Sequence, residues 1–350
     1  MYIREANPDD NDELQQLQAQ CPQGQSLIIS TVNTPDFFAR AKAYASYRVY
    51  VACEDSRIVG SAALAIHEAV LNGDTRRVGY EFQYFTSPDY RRQGVARSLH
   101  QHIEAYFREQ DTALSFLVTV EGNLPSIRLF ESQGYRMHRA LVVPVLLAYK
   151  AEDVPSREKI RSITSKDLDA VAELLNQTWQ GYDLYEPHTA ESLAQLIDRL
   201  SAYSFDNLLV LEDRGEILAC LGYWDWSQIT QITVQAITPR LRMIGLLFDV
   251  ARLIRPMPRT PMPGTTMKQW SLTPIGFKDP AHLVPLLRFV NNQAVERGVD
   301  QICCVCERSH ALLGSMKGLF RTDVGLHLLV KPLEQALIGD DPVFLDGIDI

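Results

Sequence analysis

The sequence predicts an α/β (α+β) protein in which one strand-and-helix unit is used twice, and three recurrences carry that reading. Ile3-Arg4 leads into Asn7-Pro8-Asp9-Asp10 and then Leu14 and Leu17. In the same way, 157 residues later, Ile160-Arg161 leads into Thr164-Ser165-Lys166-Asp167 and then Leu168, Val171, Leu174 and Leu175. VYVACEDSRIVGSAAL (Val49 to Leu64) is answered by LLVLEDRGEILACLGY (Leu208 to Tyr223). Each copy closes with a strand and a helix that stops at a glycine: SFLVTV then LPSIRLFESQGY, and ICCVC then HALLGSMKGLF.

Each element has a local reason. Asn7 is an N-cap and Pro8 suits a first helical position, so an amphipathic helix follows the opening strand. The two answering segments are pairs of apolar strands joined by polar turns, Glu54-Asp55-Ser56-Arg57 and Glu212-Asp213-Arg214-Gly215. Gly318 lies 184 residues after Gly134, so the second copy carries roughly 27 extra residues, expected between Trp226 and Trp270. They include RPMPRTPMPG (Arg255 to Gly264), whose prolines exclude a helix or a central strand and imply a surface loop. Ala151 to Arg157 is polar, contains Pro155 and reads as the linker. The expected division is 1–150, 158–335 and a C-terminal tail, 336–350.

A length of 350 residues suits two domains, and 46% apolar residues can fill real cores. The formal charge is −9, which argues against a nucleic-acid binder. Residues 1–150 carry 15 basic and 17 acidic side chains, so most of the negative charge falls in the second copy. The acidic N-terminus does not read as a secretory leader, and no run approaches the ~18 apolar residues of a membrane span. Six cysteines are too few for a disulfide scaffold. The expectation is a cytoplasmic protein with no membrane partner.

The segment richest in chemistry is Val78 to Phe107. Val78 to Thr86 reads as a strand, Pro88 ends it, and Val95, Ala96, Leu99, Ile103 and Phe107 recur at helical spacing. Between them lies Arg91-Arg92-Gln93-Gly94-Val95-Ala96. Small residues at a helix start let backbone N–H groups approach a phosphate, the helix terminus adds partial positive charge, and paired arginines suit a polyanion. Close helix–sheet packing is the competing reason for the same small residues.

SPDYRRQGVARSLHQHI resembles the acetyl-coenzyme A signature of the GNAT superfamily of acetyltransferases, Gln/Arg-x-x-Gly-x-Gly/Ala, with Arg91, Gly94 and Ala96 in its defined places. GNLPSIRLFESQGYR is similar to the family's second marker, an Asn-initiated helix ending in Gly134-Tyr135. The resemblance spans about Tyr2 to Val145. It implies tandem GNAT-like domains, each a mixed, mostly antiparallel sheet flanked by helices, with acetyl-CoA as co-substrate. The amides of Gln93, Gly94, Val95 and Ala96 would hold the pyrophosphate beside Arg91 and Arg92. Backbone groups of Phe85 and Thr86 would pair with the pantetheine arm, and Asn123 would cap its helix and reach toward the cofactor.

The same resemblance implies direct attack of a neutral amine on the thioester. Glu81, on the cofactor-facing strand, is the first candidate for the base and Glu121 the second. Family members often place a tyrosine acid where this chain has Phe130. The proton for the leaving thiolate then comes from Tyr84, Tyr135 or water, or release is unassisted.

The second copy looks like the same fold without its cofactor loop. Lys278-Asp279-Pro280-Ala281-His282 stands at the equivalent junction, where Pro280 removes an amide donor. Tandem chains with one degenerate copy resemble mycothiol synthase and its relatives, although here the intact loop is in the first copy. Cys303, Cys304 and Cys306 read as buried strand cysteines, with no metal expected. Trp179, Tyr182, Tyr185 and His188 are candidates for lining an acceptor pocket, with core packing the competing use. His100 reads as structural or exposed. The expected function is acetyl transfer to a primary amine of a small molecule or peptide, by a monomer or homodimer. The alternative is a non-catalytic acyl-CoA-binding module.

Overall fold

The computed structural model describes residues 1–334 and 338–350. The first copy contributes β1 (Tyr2–Glu5), α1 (Asn11–Ala19), β2 (Leu27–Asn33), β3 (Tyr47–Glu54), β4 (Arg57–Leu71) and β5 (Asp74–Thr86). It continues with α2 (Val95–Glu109), β6 (Leu114–Val120), α3 (Leu124–Ser132) and β7 (Arg136–Leu147). The second contributes β8 (Ile160–Ser162), α4 (Leu168–Thr178), α5 (Ala190–Arg199), β9 (Leu208–Asp213), β10 (Glu216–Asp225), β11 (Thr230–Ile237) and α6 (Pro239–Ala251). After these come β12 (Thr266–Met267), β13 (Gln269–Phe277), α7 (Leu283–Glu296), β14 (Gln301–Cys303), β15 (Cys306–Glu307), α8 (Leu312–Ser315) and β16 (Arg321–Pro332).

The expected caps are present. Asn7 accepts from the Asp9 amide with Pro8 at the start of the turn, and Thr164 with Asp167 forms the matching capping box 157 residues on. The hairpins are antiparallel, with Glu54 opposite Arg57 and Asp213 opposite Glu216.

Among the described residues, thirteen strands form one mixed, mostly antiparallel sheet in the order β1-β3-β4-β5-β6-β16-β7-β14-β13-β10-β9-β8, with β15 on β7. Each copy has one parallel pair, β5 with β6 and β13 with β14. At the centre the copies trade their last strands. β16 lies between β6 and β7, with Leu326 opposite Val120 on one side and Leu141 on the other. β7 in turn pairs with β14 of the second copy, Leu147 opposite Gln301. The two halves of the sequence therefore share one continuous sheet and cannot be separated without breaking ladders on both sides of β16.

Helices α2, α3 and α7 pack on one face; α1, α4 and α5 pack on the other around the largest core cluster. Two glycines permit close helix–sheet approach. A Cβ on Gly60 would lie 2.4 Å from a Val95 methyl carbon, and one on Gly79 would lie 2.5 Å from the Phe107 ring. The extra residues of the second copy form β11, α6 and β12; β11 joins β2 and β12 in a separate three-stranded sheet. The proline-rich stretch is the loop after α6.

The expected boundary at 335/336 falls within residues 335–337, outside the described residues. Residues 338–350, expected as a tail, run as a strap over the interior face. Phe344 donates its amide to Asp183 O at 2.8 Å, Ser271 Oγ donates to Gly347 O at 2.5 Å, and Asp349 ends under β5.

Candidate active site

The parallel pairing of β5 with β6 covers Val78–Leu114, Gly79–Ser115 and Tyr80–Phe116. β5 runs on six residues further, to Thr86, and opens a V against β6. Just past the last pair β5 bulges: Phe82 faces Ala63 and Phe85 faces Ser61, so Gln83 and Tyr84 together stand opposite Ala62. Gln83 takes φ +52, a left-handed conformation uncommon for a residue with a Cβ. Strand alternation alone would send Glu81 and Tyr84 to opposite faces; the extra residue puts them on the same one.

Glu81 is 2% exposed and collects four partners. Tyr84 and Tyr135 donate their hydroxyls to its two oxygens, Ser115 Oγ donates at 2.9 Å, and His100 Nδ1 lies 3.1 Å away. On its far side, His100 Nε2 lies 3.3 Å from Glu104, which binds Lys331 at 2.5 Å and Arg108 at 2.7 Å. Burial works against the Glu104 charge, but the Lys331 and Arg108 bonds outweigh it and hold the carboxyl below its usual range. Burial, reinforced by the Glu81 charge, raises the phenols of Tyr84 and Tyr135 well above 10, so both keep their protons. Phe130 is buried edge-on against Tyr84, His100 and Tyr135, with centroids 5.2, 5.8 and 5.4 Å apart.

At the mouth of the V, Arg91, Arg92 and Gln93 are exposed and Gly94 caps α2 at φ +87. The first helical bond runs from the Ser98 amide to Gly94 O at 2.9 Å, so the amides of Val95, Ala96 and Arg97 precede the helical ladder. A Cβ built on Gly94 meets nothing within 4 Å. The packing reason for small residues belongs to Gly60; at Gly94 the glycine faces open space.

A family model described as Acetyltransferase (GNAT) family matches residues 11–135. The match covers about a third of the chain, the part that holds α1 to α3. Solved structures match over nearly the whole chain. N-myristoyltransferase of Saccharomyces cerevisiae with bound myristoyl-CoA has a TM-score of 0.64 at 11% identity, over 94% of this chain and 82% of that one. A GCN5-related glucosamine N-acetyltransferase region in a fungal multi-domain GH3 β-N-acetylglucosaminidase has a TM-score of 0.61 at 16% identity, over 94% of this chain and 38% of that one. A GCN5-related N-acetyltransferase from Anabaena variabilis has a TM-score of 0.52 at 14% identity, over 95% of this chain and 73% of that one. At these identities the likeness is one of fold. A search of curated protein sequences gives no match.

The remaining expected residues of the GNAT half spread around the V. Phe85 is buried edge-on against Phe37 at 6.2 Å. The Thr86 carbonyl already accepts from Cys21 Sγ and Arg91 Nε, each at 3.4 Å. Asn123 caps α3, accepting from the Ser126 amide at 3.4 Å. Glu121 follows β6 and binds Arg308 of the second copy at 2.8 Å, away from Glu81's network.

A second carboxylate, missed in the sequence, lies on the opposite face of β5. Asp349 is 7% exposed and accepts from Tyr44 Oη at 2.9 Å; its backbone carbonyl accepts from Tyr80 Oη at 2.5 Å and Arg40 at 3.1 Å. Burial, with the neighbouring Asp346 charge, lifts its carboxyl to about 7. The aromatic surroundings are Tyr44, Tyr80 and Phe82, with Arg40 5.3 Å over Phe82.

In the second copy the turn at 278–282 is closed internally, since Asp279 Oδ1 accepts the Ala281 amide at 2.7 Å. Trp179 and Tyr185 pack on Phe344 of the strap, while His188 lines a cavity of about 580 Å³ with Asn176 and Asp169. All three clustered cysteines are buried, and burial pushes Cys303 and Cys306 up to about 12.

Proposed function

We propose that the first half, residues 1–150, transfers an acetyl group from acetyl-CoA to a primary amine of a small molecule or peptide, with 158–335 as a degenerate partner. The observation that carries this reading is the opening of β5 from β6 next to the amides of Val95 and Ala96, which precede the helical ladder of α2. The pyrophosphate would sit on those amides beside Arg91, Arg92 and Gln93, and the pantetheine arm would run along Phe85 toward the bulge. Asn123 lies on the far lip. The amine attacks the thioester carbonyl, a C–N bond forms, and the C–S bond breaks.

Two carboxylates compete for the amine proton. The Glu81 oxygens are already engaged by Tyr84, Ser115 and Tyr135 within the chain. Asp349, poised near neutral pH on the α1 face, suits a general base better. We therefore assign the base role to Asp349 and assign Glu81 to fixing Tyr84, a candidate donor for the leaving thiolate. Glu121, engaged with Arg308, holds the junction of the halves.

Thiol release from acetyl-CoA with a panel of amines tests the reaction, and the same assay with longer acyl-CoAs tests the acetyl assignment. Tight CoA binding without turnover on any amine favours the second reading, a non-catalytic acyl-CoA-binding module. The observation behind that reading is Phe130, which brings no hydroxyl to the ring cluster at Tyr84. Failure to bind any acyl-CoA removes both readings.

A further inference from the structure

Helix α6 presents an apolar face to solvent. Met243, Leu246, Leu247 and Val250 on the helix, and Leu253 and Ile254 in the turn that follows it, are all exposed, Leu253 at 87% and Ile254 at 89%. At about 100° per residue, the four helical positions fall in one stripe about 100° wide, the pattern that in a packed helix would face a core, and the turn adds two more aliphatic side chains at its end. The inward side is anchored instead by Phe248, edge-on to Phe320 at 5.8 Å, and by Gly245, where a Cβ would meet Thr260 Oγ1 at 2.6 Å. The proline-rich loop is tied beneath by Gly264, whose amide donates to Val234 O at 2.8 Å. The apolar stripe is thus held outward on a braced mount.

Charge singles out what covers it. In a chain of net charge −9, residues 239–259 carry five arginines and one aspartate. Arg240 and Arg242 bracket the stripe on its two sides, and Arg255 and Arg259 are exposed on the following loop. A second copy meeting this face on itself would bring two sets of arginines together. A flat stripe of aliphatic side chains with cationic flanks matches an anionic lipid surface, with the helix lying in the interface and the arginines at the headgroups. We propose that α6 and its proline-rich loop dock the protein on anionic membrane surfaces. This is a surface contact; among the described residues no helix is long and apolar enough to cross a membrane.

The test is co-sedimentation of the full chain with phosphatidylcholine vesicles, plain or containing about a third phosphatidylserine. Binding to the anionic vesicles is expected, falling severalfold between low and high salt. Leu247→Asp or Ile254→Asp is expected to weaken it at least tenfold, and Arg240→Gln with Arg242→Gln about fivefold per charge or less. These positions are exposed, so unchanged melting temperatures show that the variants fold. No binding to the anionic vesicles, or binding indifferent to both classes of variant, overturns the proposal. So does a concentration-dependent dimer in sedimentation velocity that Leu247→Asp abolishes, which would assign the face to a second copy.

Discussion

Lys331 of the second copy binds Glu104 of the first at 2.5 Å, and Glu104 backs the histidine that holds Glu81. The exchanged strand β16 therefore supplies a charge to the site on the other half. Lys331→Met should destabilise the protein by about 1–3 kcal/mol, because Glu104 loses a partner in a largely buried setting. Urea unfolding of Lys331→Met, Glu104→Gln and the double variant measures the coupling; strict additivity would contradict the link.

Gly94 is open to solvent but has φ +87. Gly94→Ala should cost about 1 kcal/mol in stability through backbone strain alone. Gly94→Trp fills the space in front of the free amides and should abolish acyl-CoA binding in calorimetry. Unchanged affinity would refute the loop assignment.

Glu81→Gln replaces a carboxylate that accepts from Tyr84, Ser115 and Tyr135 with an amide that offers one acceptor oxygen in place of two. The variant should lose about 3 kcal/mol or more and lower turnover more than it changes CoA affinity. Tyr84→Phe removes only the half-buried donor, so turnover should fall while folding and CoA affinity are largely kept. A KM change without a kcat change would exclude a proton-transfer role for Tyr84.

Asp349 gives two pH signatures. Its carboxyl is raised to about 7 when folded, so the folded protein holds a proton that the unfolded chain releases near 4. That contribution to stability is full below about pH 4 and is lost as the pH rises through about 7. Asp349→Asn should flatten the decline in melting temperature across this window. If Asp349 is the base, kcat/KM in the parent rises with an inflection near 7, and the Asn variant loses both the inflection and most of the rate.

The parts of the site contiguous in sequence were legible, and those assembled by geometry were not. Gly94 after two arginines at a helix start states its chemistry locally. The bulge at Gln83 has no such sign, because glutamine has no preference for positive φ; without it the contact between Glu81 and Tyr84 is invisible. His100 did leave a trace, lying three residues before Ile103 on the apolar stripe of α2, and is fully buried. Asp346 and Asp349 form a capping box in a stretch that the sequence offered only as a tail, and the fold brings it beneath Tyr80. The strand exchange is the least legible feature. β7 and β16 carry similar apolar patterns, and each would satisfy either neighbour.

That exchange bears on how such a chain can change over time. Each half is completed by the other's final strand, so a gene encoding one half alone would yield an open sheet edge in place of a closed sheet. The second half cannot be discarded, because deleting it would pull β16 out of the first half's sheet. Two separately expressed halves should therefore be aggregation-prone alone and recover as a complex when mixed.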